Sequence, residues 1–198
     1  MEQKNIERQS FHSLLKTATS SLHSRLEEIN PLASTIPTIE NYIKFLTATY
    51  RILLPLEIKV NKIKNCDKNE LLSKIYSSKI PQIENDLKSL NIEISSCKNS
   101  IFIPEINNLP ELLGAIYVIE GSALGGQMIS KRMIQTHGEK IKSSLTYLMG
   151  HGPKTFPIWK EFINKLENYA ENNSEKQQLI IEIAVKMFLC FEKEFLSN

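Results

Sequence analysis

An all-α chain folded as one multi-helix bundle is what this sequence predicts, on three observations. Apolar residues recur at three- and four-residue spacing through nearly every long segment, the period of a helix with one buried face. Strand-like alternation is confined to the brief NIEIS at 91–95. No internal repeat or low-complexity linker divides residues 1–198, so they read as a single domain.

The elements follow in order. Phe11, Leu14, Leu15, Ala18, Leu22, Leu26 and Ile29 form one helical stripe, closed by a loop holding Pro31 and Pro37. A second helix starts near Thr38 and carries Tyr42, Phe45, Leu46, Tyr50 and Leu53; Pro55 is expected to kink or end it. Segments 68–78 and 81–90 read as shorter helices and 91–109 as loop. A long helix covers roughly 110–135 and closes at His137-Gly138. Helices at about 139–149 and 154–171 follow. Ser174 with Gln177 three residues on matches a capping box, opening a last helix built on Leu179, Ile180, Ile183, Ala184, Met187, Phe188 and Phe191.

Composition removes several function classes. A net charge of +2, with lysines spread along the chain, does not suit a general nucleic-acid binder. Three cysteines without CxxC spacing argue against a disulfide framework and a structural zinc site. The polar N-terminus lacks the apolar core of a signal peptide, and no run of about 18 apolar residues is evident. The expectation is a cytoplasmic protein with no membrane and no nucleic-acid partner.

Two places interrupt the run of amphipathic helices. Lys16, Thr19, His23 and Glu27 are spaced three, four and four, so they stack along one face of the first helix. His23 falls at the edge of the apolar stripe, where a neutral imidazole can ligate haem iron and Glu27 can fix its tautomer. A surface histidine with ordinary helical neighbours has the same pattern. His12, His137 and His151 lack such a row and read as surface or loop residues.

The second place is EGSALGGQ at 120–127, which puts three of the seven glycines within six residues of a helix. Each costs roughly 1 kcal/mol against alanine, so a compensating role is expected. Gly121 and Gly125 share a face with Tyr117. Two readings stay open: close approach of a flat ligand to bare backbone, or tight packing of another helix. A phosphate loop is unsuitable, because neither GxGxxG nor GK[ST] is present.

Together the two segments resemble the haem oxygenase family. Leu15-Lys16-Thr17-Ala18-Thr19 followed by His23 and Glu27 is similar to its proximal helix. Gly114 to Gly126 (GAIYVIEGSALGG) is similar to its glycine-rich distal helix in the bacterial form. Gly150 and Gly152 followed by Trp159 and Phe162 make a weaker match, and Asn30-Pro31-Leu32 with Tyr42, Phe45 and Leu46 also fits. The resemblance is collinear from residue 14 to about 166.

That resemblance implies the family's helical fold, with haem held between proximal and distal helices. It implies His23 as the iron ligand, with Thr19 and Glu27 in the same row. Gly121, Ser122 and Gly125 become the catalytic distal segment, with Gly126 beside them. Lys16, Tyr117 and Lys160 become contacts to the haem propionates. Ser122 stands where animal members carry an acidic residue that helps hold water near bound O2; bacterial members often have serine there. The implied reaction consumes haem and O2, with reducing equivalents from an electron-donor protein such as a reductase or ferredoxin, and yields biliverdin, CO and ferrous iron.

Four alternatives bear on this reading. A non-catalytic haem storage or trafficking protein would share His23 and the glycine helix. A di-iron carboxylate bundle wants Glu-x-x-His pairs, and the sequence has none. A purely structural helical module would bind no haem. A thiamin-degrading relative of the fold wants a nucleophilic cysteine in the cleft, and Cys66, Cys97 and Cys190 lie away from both motif helices.

Overall fold

Side chains at Ser10, Thr38 and Asn108 accept from orphan backbone N–H groups where three of the described helices begin. The computed structural model describes residues 9–66, 70–94 and 99–197. Among these, α1 (Phe11–Ile29) starts where the Ser10 side chain accepts from Ser13 N–H. Next come α2 (Ile39–Cys66), α3 (Glu70–Ile75) and α4 (Ile80–Ser89). The long α5 (Leu109–His137) begins with Asn108 Oδ1 accepting from Glu111 N–H at 3.1 Å, while Glu111 reaches back to Asn107 N–H at 2.6 Å. It ends at Gly138, whose φ of 81° suits glycine. Then follow α6 (Thr146–Met149), α7 (Thr155–Asn172) and α8 (Gln177–Leu196), separated by short 3₁₀ turns.

Three expectations are corrected. Pro55 neither ends nor divides α2, which runs through to Cys66. A proline leaves the carbonyl four residues back without its helical donor. Here that carbonyl is Arg51 O, and it accepts from Ser100 N–H at 2.9 Å, so the loop before α5 repairs the helix. The capping box at Ser174 does not form: a 3₁₀ turn occupies Ser174–Lys176, and Gln177 donates instead to Ala170 O at 3.0 Å. The segment 139–149 is a 3₁₀ turn followed by the four-residue α6 rather than one helix.

α8 is the central strut. It buries Ile180, Ile183, Ala184, Met187, Phe188 and Phe191 against α5, α1 and α2. Arg25 pairs with Glu192 to fix α1 on α8, and Arg51 pairs with the buried Glu194 at 3.0 Å to fix α2 on it. α5 crosses α8 so closely that a Cβ at Gly114 would lie 2.4 Å from Ile180 O. Among the described residues α5 alone is long and apolar enough, by length and composition, to cross a membrane, and over half of that window is buried in the bundle.

One buried carboxylate organises the far side. Asp86, fully buried on α4, accepts from the Tyr42 phenol at 2.7 Å, the Thr146 hydroxyl at 2.6 Å and the Thr146 and Tyr147 N–H groups at 2.9 and 2.8 Å. It thereby hangs the short α6 from α4, and α6 is the surface on which the middle of α5 rests.

Candidate functional site

The row on α1 does not share one environment. Lys16, His23 and Glu27 are exposed, whereas Thr19 is buried and donates back to Leu15 O at 2.9 Å. The inward line of α1 is Phe11, Leu15 and Thr19, while Ala18, assigned to the stripe from its polarity, faces out. His23 stands beside that line with 58% of its side chain exposed and its ring edge-on to Phe188 of α8 at 5.9 Å. Its Nδ1 is 3.6 Å from Glu27 Oε1, an electrostatic contact beyond hydrogen-bond reach.

The glycines of α5 separate into two kinds. A Cβ at Gly126 would lie 2.7 Å from Leu148 O, so this glycine lets α6 seat on α5. Gly125 is exposed, and among the described residues a Cβ there would meet nothing within 4 Å. Gly121 lies between these extremes: the far edge of the Trp159 ring, from α7, stands 3.4 Å from its Cβ position. Ser122 donates to Ile119 O at 2.7 Å.

α1 and α5 meet through Tyr117. Its ring packs against His12 of α1 at 6.1 Å and against Trp159 of α7 at 5.5 Å. Burial raises the Tyr117 pKa, so the phenol is protonated at neutral pH. Further along, Arg132 of α5 donates to Ser34 O at 3.3 Å, and His137 contacts Pro37 O at 2.8 Å, both in the loop that follows α1. The two helices therefore run in the same direction. Beyond the His12–Tyr117 contact, His23 follows along α1, and Gly121 and Gly125 follow one and two turns along α5 in the same direction. Leu124 and Met128, exposed large apolar side chains, flank Gly125 on α5.

Comparison with known proteins decides the family. The family model described as heme oxygenase matches residues 9–197, nearly the whole chain. The chain belongs to the haem oxygenase family. Two solved structures share its fold. One is the NO- and CO-bound haem oxygenase of Neisseria meningitidis, with TM-score 0.68, 20% identity and coverage of 96% of this chain and 92% of that one. The other is haem oxygenase from Leptospira interrogans, with TM-score 0.73, 22% identity and coverage of 96% and 100%. No curated protein sequence matches significantly.

A haem oxygenase needs room for a flat macrocycle beside a ligating imidazole, and the test of fit is local. The space over Gly125 is one that a side chain on that residue would fill, and the exposed His23 imidazole is available on α1. Both suit haem. Gly126, grouped from sequence with the haem-facing glycines, is corrected to a packing role, because its Cβ direction is taken by the Leu148 backbone. Lys160 is exposed on α7, directly after Trp159.

Sequence reasoning missed two histidines. His12, expected on the surface, is half-buried between Tyr117 and Trp159, and burial lowers its pKa, with Lys16 adding to the effect and Glu167 opposing it. His151, expected in a loop, is also half-buried, with Nε2 3.4 Å from Lys79 Nζ. Neither carries a signal in its own neighbourhood, since the groups that enclose them come from distant segments.

Proposed function

We propose that this chain is an active haem oxygenase, opening the porphyrin ring with O2 to give biliverdin, CO and ferrous iron. The observation that carries the reading is the unobstructed backbone at Gly125 on the helix that runs alongside the exposed His23. Haem, when bound, supplies the iron that activates O2 and the ring that is consumed.

The chain's residues supply binding, orientation and proton control. His23 offers an imidazole nitrogen to iron, with the Glu27 carboxylate 3.6 Å from its Nδ1. Lys16 and Lys160, both exposed, attract the propionate carboxylates, and the protonated Tyr117 phenol has a proton to donate to one. Thr19, buried in the same row, faces the ligand side of α1. Gly121 and Gly125 let the distal backbone approach the ligand and orient what binds there by sterics. Ser122, donating to Ile119 O, is a hydroxyl that can order water. An electron-donor protein and a cytoplasmic setting complete the reading.

Two measurements test it. Haemin added to wild type is expected to give a strong Soret band that His23→Ala abolishes or shifts. An identical spectrum in that variant removes His23 as the ligand. Supplying an electron donor under air is expected to convert haem to a bile-pigment spectrum. A haem spectrum that persists favours the storage or trafficking reading instead. The thiamin-degrading alternative gains nothing from Cys190, which is buried with its thiol pushed up to about 12, far from the reactive range. Cys97 lies outside the described residues.

A further inference from the structure

Immediately before Gly121 stands Glu120, a carboxylate 4% exposed in an otherwise apolar stretch of α5. Lys79, also buried, brings Nζ to 3.0 Å from Glu120 Oε1 and donates to Oε2 at 3.3 Å. Oε1 is left buried without a directed hydrogen bond. Around the pair stand Tyr76 and Glu57, joined at 3.0 Å, and His151 at 3.4 Å from Nζ. Glu57 also accepts from Lys79 N–H at 2.8 Å.

A buried ion pair contributes little net stability, because desolvation offsets the Coulomb attraction. An orphaned carboxylate oxygen in the interior is commonly met by an ordered water. Glu120 immediately precedes Gly121 and stands two residues before the Ser122 hydroxyl. We propose that Glu120 and Lys79 are positioning residues for the distal side: Glu120 Oε1 accepts from an ordered water behind Gly121 and Ser122, and the two opposite charges set how readily water on the ligand side gives up its proton. The inference deepens the haem reading and rests on it.

The test uses the ferric haem complex of the full chain and the pH midpoint of its acid–alkaline change in the visible spectrum, with thermal unfolding alongside. Removing the negative charge disfavours the protonated form, so Glu120→Gln is expected to lower the midpoint by roughly half a pH unit or more. Lys79→Met is expected to raise it by a similar amount. The double variant, net neutral like the wild-type pair, is expected to return to within about 0.2 of a pH unit. Lys79→Arg, which keeps the charge if the methionine variant does not fold, is expected to leave the midpoint in place. Midpoints that move in one direction for both single variants, or not at all while the unfolding temperature falls, overturn the proposal and leave the pair a structural tie. Absence of any haem spectrum in the wild type defeats the underlying reading instead.

Discussion

Four glycines of α5 look alike in the sequence and do opposite work. Gly114 and Gly126 are pressed against backbone carbonyls of α8 and α6, and a methyl group at either has nowhere to go. Gly121 and Gly125 are met by a ring edge or by nothing. The same missing Cβ serves close packing at two positions and vacancy at the other two. Helix propensity charges all four alike, so only their surroundings tell the two uses apart.

The comparison can be broken most forcefully at its support. Asp86→Ala strips the acceptor from Tyr42 and from the two N–H groups that begin α6, and a loss of about 3–5 kcal/mol is expected in denaturant unfolding. A loss under 1 kcal/mol would mean that α6 does not depend on this carboxylate. Gly114→Ala and Gly126→Ala should each cost about 1–3 kcal/mol, Gly114 the more, because the clash is with backbone that cannot rotate away. Gly125→Ala should raise stability by roughly 0.5–1 kcal/mol, since it improves helix propensity and touches nothing. If it instead destabilises as Gly126→Ala does, the division between the two kinds collapses. Gly125→Leu sharpens the same point: unfolding stability kept, Soret-monitored haem affinity reduced at least about tenfold.

The smallest expected effect concerns His12. Its folded pKa is lowered, chiefly by burial, so folding favours the neutral ring. The unfolded chain takes up a proton near the ordinary value of about 6.5 while the folded state resists it. Stability is therefore full above that pH and declines as pH falls through 6.5 toward the folded value. His12→Phe should flatten this part of the pH–stability curve by a few tenths of a kcal/mol. An unchanged slope would assign the acid sensitivity to other groups.

Much of the fold was legible because helical burial leaves a periodic trace: the stripes on α1, α5 and α8 follow from local spacing alone. What was not legible is settled by partners remote in sequence. Pro55 reads as a break until Ser100 is seen on Arg51 O, and Gln177 reads as a cap until Ala170 O takes its amide. The same holds at the site. His23 and the glycine segment were visible by their spacing, and Tyr117 through its register with Gly121. The enclosing roles of Trp159, His12 and His151, and the inward turn of Thr19, depend on which helices face one another. The misassignment of Gly126 has the same origin, since neighbours one residue apart on a helix look in directions about 100° apart.

Two ties described above bound the space between α1 and α5. At one end the Tyr117 ring packs on His12; at the other Arg132 and His137 staple the loop through Ser34 and Pro37. Between Tyr117 and Arg132, α5 spans about 22 Å of helix axis. The two ties thus fix a length and leave the width between them free to breathe. Under the proposed function, a rigid disc would slip in edgewise from the flank, and an opened, floppy chain of pyrroles would peel away through the same side without either tie letting go.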